Sequence, residues 1–355
     1  MPQRLYDLQR NLPELITLES LMRQGERWIR AEKVHEVVLS KGNAGARTKL
    51  PIWVLEMGSR NPKAPVIGFF GGVHGVERIG TQILLSWLHS LIHRLRWDSA
   101  LHQRLEQVRI VIMPMVNPGG IWQRTRCNPN RVDLMRNAPV DAEGPVPFLV
   151  GGQRISSHLP WYRGRSGDEM EAESQALIKV VREKIMPAPF AMTLDCHSGF
   201  GRLDRIWCCY ARTRKPIPHL ADVYALKTLF ADTYPHHHPY LIEPQSVNYT
   251  THGDLWDYLY DDAIARHPRN TLLPFTLEMG SWLWVRKNPR QMLDFFGYFN
   301  PIIEHRQHRV LRQHLPLFEF LTAAAHHWHH WQPLEQQRPQ LLQQAISHWF
   351  PAKHH

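Results

Sequence analysis

Short β-prone runs at residues 51–57, 66–70, 108–113, 190–195, 206–210 and 272–277 alternate with longer amphipathic stretches, and this alternation limits the folds open to the chain. Val108-Arg109-Ile110-Val111-Ile112-Met113, ended by Pro114, is the strongest run. β-Branched residues suit a pleated strand, and proline cannot donate to a strand ladder. Residues 79–95 place Ile83, Leu84, Trp87, Leu88 and Leu91 on one helical face. Strands covered on both sides read as nearly continuous apolar runs, with the helices between them forming the covering layers. The expected fold is α/β, a mostly parallel sheet with helices on both faces.

A chain of 355 residues with 43% hydrophobic content, 13 Trp and 13 Phe can bury a sizeable core. Three segments are expected. Residues 1–49 read as a charged helical extension, with Leu15, Ile16, Leu18, Leu21 and Met22 at helical spacing. Residues 50–315 form the main unit, and 316–355 a His-rich helical tail that includes His326-His327-Trp328-His329-His330. The Pro- and Gly-rich stretch 137–167 reads as a long loop, and long loops within compact domains are often functional.

The apolar stretches are too short to span a bilayer, and residues 1–7 lack the apolar core of a signal peptide. Four cysteines, two of them adjacent and none at zinc-like spacing, fit a reducing, cytoplasmic setting. The net charge of +10 is spread along the chain without a nucleic-acid-binding motif. It reads as a solvated basic surface, with no nucleic-acid or membrane partner expected.

Three of the strand-like runs end in residues able to bind metal or move protons. Phe69-Phe70-Gly71-Gly72 leads to His74 and Glu77, Thr193-Leu194-Asp195-Cys196 to His197, and Phe275-Thr276-Leu277 to Glu278. Sites in α/β sheets form beyond the carboxyl ends of strands. Two imidazoles and one carboxylate make a three-ligand zinc set with a fourth position left for water. Zinc lowers the pKa of such a water to roughly 7, and Glu278 remains as the base that takes its proton. Asp195 either partners His197, as carboxylates do with ligating histidines, or points into the other face of the sheet. Between the ligand segments lie Asn117-Pro118-Gly119-Gly120, Arg126 and Val132-Asp133-Leu134-Met135-Arg136-Asn137. Guanidinium groups there suit carbonyl polarisation and two-pronged carboxylate binding. The histidines of the tail and His236-His237-His238 read as polar surface, and Cys196 points away from His197 on a strand.

These residues, in this order from about 50 to 300, resemble the zinc carboxypeptidase family. The resemblance implies a mixed eight-stranded sheet, a Zn2+ cofactor and a peptide substrate. It assigns His74, Glu77 and His197 as zinc ligands and Glu278 as general base. Arg126 takes the place of the arginine that polarises the scissile carbonyl, with Arg124 as the neighbouring alternative, and Arg136 that of the arginine that binds the terminal carboxylate. Tyr249, eight residues before Asp257, matches the mobile active-site tyrosine. Asp254 and Trp256 fall where family members line the specificity pocket. No propeptide-like segment is read, so an enzyme made in active form is expected.

Two departures matter. Met135 stands where the family has an asparagine that helps hold the carboxylate, and Gly119 where it has an aspartate. Methionine donates no hydrogen bond. The leading expectation is a metallocarboxypeptidase. A zinc amidase or deacylase acting on N-acyl amino acids or cell-wall peptides is the alternative. A catalytically silent carboxylate-binding protein is the alternative of another class.

Overall fold

The apolar runs become neighbouring strands of one sheet in the computed structural model, which describes residues 2–41, 46–236 and 240–351. The strands are β1 (Arg30–Lys41), β2 (Ala46–Gly58), β3 (Val66–Gly71), β4 (Arg109–Met113), β5 (Phe190–Ser198), β6 (Asp204–Cys208), β7 (Tyr240–Pro244) and β8 (Thr271–Met279), in the order β1-β2-β4-β3-β5-β8-β6-β7. β4, β3, β5 and β8 are parallel. The sheet turns antiparallel at β1-β2-β4 and at β8-β6, and closes with the parallel pair β6-β7. Every residue of β3 and β5 is buried, as expected of central strands covered on both faces.

Phe69 and Phe70 show the two layers. Phe69 packs on Trp87 of the helix Arg78–Arg94 and on Phe318 of the helix Leu315–His326, with centroids 4.7 and 5.0 Å away. Phe70, one residue on, faces the opposite side and meets Trp256 of the helix Leu255–Arg266 at 5.0 Å. Burying side chains of this size stabilises the fold by about 1.5–3 kcal/mol each.

The helical reading of residues 1–49 holds for Pro2–Asn11 and Pro13–Gln24 but not for Arg30–Lys41. That segment is the edge strand β1, paired along its length with β2. Val37 and Leu39 are buried while Val38 between them is exposed, a period of two. The charges that suggested a helix belong to an edge where Lys33 and Lys49 both pair with Glu36.

The tail is helical at Leu315–His326, Trp328–Trp331 and Arg338–Trp349. Trp328 stacks on Phe190, and Arg338 grips the buried Asp222 with both Nη atoms. His237 and His238 lie outside the described residues. No described helix is long and apolar enough to cross a membrane.

Candidate metal and catalytic site

The site lies beyond the carboxyl ends of the central strands β3, β5 and β8. The turn after β3 carries His74 and Glu77. It is seated on the helix Pro118–Gln123, where Asn117 Oδ1 accepts from Gly120 N and Asn117 Nδ2 donates to Val73 O. A Cβ at Gly75 would lie 2.0 Å from the Gly120 carbonyl carbon, so this close approach requires glycine. His197 and Glu278 end β5 and β8 and are register partners in the parallel ladder. Asp195 shares the His197 face, and Cys196 faces the other way.

His74, Glu77 and His197 are buried, with their donor atoms within 4.8 Å of one another. His74 Nδ1 is 2.9 Å from Glu77 Oε1, His197 Nδ1 is 3.0 Å from Glu77 Oε2, and the two Nδ1 atoms are 3.1 Å apart. Donors about 2.0 Å from a tetrahedral zinc sit roughly 3 Å from each other, so the set fits this ion. Both imidazoles turn Nε2 outward to a carboxylate: His74 to Asp133 Oδ1 at 3.0 Å and His197 to Asp195 Oδ2 at 2.8 Å. A carboxylate only accepts, so Nε2 carries the proton and Nδ1 is left as the donor to a metal.

Burial opposes ionisation of Glu77 and Asp133, yet the hydrogen-bond donors around them prevail and hold both below the ordinary carboxylate range. His74 and His197 act on Glu77, and Arg126 and His74 on Asp133. Burial also opposes the charged form of His197, but Asp195 and Glu77 lift its pKa well above the usual value.

Arg126 bridges the cluster, with Nε donating to Asp133 Oδ2 at 2.9 Å and Nη1 to Glu77 Oε1 at 3.0 Å. Arg124 instead pairs with Asp294 at the exposed rim and lies over the Phe296 ring. Glu278 accepts from Phe200 N at 3.0 Å, and burial together with the charge of Glu77 pushes its pKa up to about 8. Tyr249 packs against Phe200 and Trp207. Burial raises its pKa, and the charges of Arg136 and Arg126 oppose that shift.

Arg136 is 5% exposed. Its Nε has no partner, and Nη1 makes one contact, at 3.4 Å, with the Met135 carbonyl. Its backbone is held by Arg163, whose Nε donates to Arg136 O while Nη1 pairs with Asp141. Gly253 (φ +70°) presses on the same carbonyl, and a Cβ there would lie 1.9 Å from it. Met135 is buried.

Asp254 and Trp256 are both buried. Asp254 Oδ1 caps the helix Leu255–Arg266 by accepting from Trp256 N and Asp257 N, and Trp256 Nε1 donates to Asp195 Oδ2 at 2.9 Å. Sequence reasoning gave Asp133 and Arg163 no role. Asp133 lay in a motif quoted for its arginine, and Arg163 sits in the loop 137–167, which offers no periodicity to place a side chain.

A sequence model described as zinc carboxypeptidase matches residues 46–282. Among curated proteins, carboxypeptidase SOL1 of Arabidopsis thaliana is 35% identical over 92 residues, which is 25% of this chain and 19% of that protein. Metallocarboxypeptidase A of Trichophyton rubrum is 28% identical over 273 residues, 71% of this chain and 60% of that one. The chain therefore spans less than two thirds of either relative. The fold is shared with bovine thrombin-activatable fibrinolysis inhibitor (TM-score 0.62, 18% identity, 89% of this chain and 97% of that one). It is also shared with carboxypeptidase A from Helicoverpa armigera (TM-score 0.59, 16% identity, 87% of this chain and 71% of that one).

Proposed function

The chain belongs to the zinc carboxypeptidase family, and from that premise we propose that it is a metallocarboxypeptidase that releases the C-terminal residue of peptide substrates. The observation that carries the exopeptidase reading is Arg136. Its guanidinium is buried and makes no ion pair within 4 Å among the described residues, and a substrate carboxylate is the partner its planar fork suits.

His74, Glu77 and His197 would hold the metal through two Nδ1 atoms and a carboxylate. Bound there, zinc supplies Lewis-acid polarisation of a carbonyl and a water acidic enough to ionise near neutral pH. Glu278 takes the proton from the attacking water and returns it to the leaving amine. Its carboxylate is buried and is the register partner of the ligand His197, which supports this role. Arg126, fixed by Glu77 and Asp133, places positive charge where the scissile carbonyl develops negative charge. Arg136 orients the substrate by its terminal carboxylate, and Tyr249 closes the site over the residue to be released. A cytoplasmic location belongs to the same proposal and is supported by four free cysteines.

The buried, donor-free Met135 favours a second reading, an amidase or deacylase whose substrate carries no terminal carboxylate. Paired peptides with free and amidated C-termini separate the two. We expect kcat/KM on the free acid to exceed that on the amide by about 100-fold, the equivalent of roughly 3 kcal/mol for a buried charged pair. Equal turnover of both would replace the carboxypeptidase reading with the amidase one.

A further inference from the structure

Glu77 occupies the N-cap position of the helix Arg78–Arg94, and its side chain makes no cap hydrogen bond. An N-cap side chain normally accepts from the second or third helical N–H, one of the donors with no partner inside the helix. At Glu77 both carboxylate oxygens are committed elsewhere. Oε1 meets His74 and Arg126, and Oε2 meets His197 and Ser198 N. The orphan donor is taken from a distance: Ile79 N, the second of the helix, donates to Asn300 Oδ1 at 3.0 Å. The amide nitrogen of Asn300 donates in turn to Val76 O at 2.6 Å, so one buried side chain grips the chain immediately before and after Glu77. The preceding residue reaches the other ligand strand, where Phe299 O accepts from Ser198 Oγ at 2.7 Å, next to His197. Gln291, fully buried, fixes this segment by donating to Gly297 O and Asn300 O.

We propose that Asn300 is a positioning residue for the metal site, a cap supplied in trans that leaves the Glu77 carboxylate free to bind zinc. Residues 299 and 300 lie beyond the stretch 46–282 that the family model matches. The inference rests on the metal-centre reading above. Without the brace, Glu77 can turn back to cap its own helix, and the cost falls on ligand geometry more than on the sheet.

The test is zinc binding by the full-length chain, prepared metal-free and titrated against a chromophoric chelator, with melting temperatures of the metal-free and zinc-loaded forms. Asn300→Ala should raise the zinc Kd about tenfold, the scale set by residues that orient metal ligands, and lower the loaded Tm more than the metal-free one. Gln307→Ala breaks a 2.7 Å contact to Gln82 farther along the same helix. It should leave Kd within about twofold of wild type. Should Asn300→Ala fail to fold, Asn300→Asp keeps the acceptor for Ile79 N, loses the donor to Val76 O and is judged by the same criteria. An unchanged Kd with equal loss of Tm in both forms makes Asn300 merely structural and overturns the proposal. Failure of the wild-type chain to take up zinc would instead overturn the metal-centre reading beneath it.

Discussion

The indole N–H of Trp256 and the imidazole Nε2 of His197 converge on one oxygen, Asp195 Oδ2, at 2.9 and 2.8 Å. The other oxygen, Asp195 Oδ1, is buried and has no partner. The indole therefore holds the carboxylate in the rotamer that keeps the His197 proton on Nε2 and leaves Nδ1 free. Asp195→Ala should weaken zinc binding roughly 10- to 100-fold, and Trp256→Phe, which keeps a ring but loses the donor, by less. Because the indole acts through the carboxylate, the double variant should bind zinc as Asp195→Ala does. Additive losses in chelator competition would refute this coupling.

Glu278→Gln keeps the shape of the side chain and its hydrogen bond from Phe200 N but cannot take a proton. Peptide hydrolysis should fall by about 10²–10⁴-fold with a full complement of zinc. Metal content by atomic absorption, measured beside single-turnover rates, checks both halves. Activity near wild type would remove Glu278 from the role of base.

Arg136→Met should separate stability from function. The variant removes a buried guanidinium whose charge favours the ionised forms of Asp133 and Asp254, so the metal-free protein should lose stability and melt lower. On a peptide with a free C-terminus, kcat/KM should fall by roughly two orders of magnitude, while activity on an amidated analogue falls only as far as stability does. A melting temperature at or above that of wild type would show that the guanidinium gains nothing from these carboxylates.

Asp204 gives a pH signature away from the chemistry. Burial raises its pKa from 3.8 to about 6, although Gly280 N donates to it. Gln313 Nε2 also reaches it, and His314 Nε2 stands 3.8 Å away. With the folded pKa above the unfolded one, its contribution is full below pH about 4 and is lost as the pH rises through about 6. Asp204→Asn avoids that loss, so its stability relative to wild type should climb across this window by up to about 3 kcal/mol. Urea titrations at several pH values measure it, and a constant difference would contradict the assignment.

The ligands were legible in the sequence because each ends an apolar strand, and strand ends in α/β sheets are where side chains converge. The strands β3, β4, β5 and β8 were legible for the same reason, their apolar runs being unbroken. The brace was not. Ile79 and Asn300 are separated by 221 positions, and no local pattern marks an asparagine whose partner belongs to another element. The contact of Trp256 with Asp195 was not legible either, since sequence fixes neither the rotamer of an indole nor the neighbour it finds. The charges of an exposed edge mask the alternation of Val37 and Leu39, so the sequence of β1 carries a helix-like pattern.

The place of Asn300 in the chain also has a consequence for synthesis. A growing polypeptide presents His74, Glu77 and His197 roughly 100 residues before the asparagine that frees Glu77 for its metal, an interval of about 5–20 s at ordinary elongation rates. During that interval the ligands exist but the brace proposed for Glu77 does not, and full zinc affinity waits until the segment around Asn300 has closed over the turn after β3.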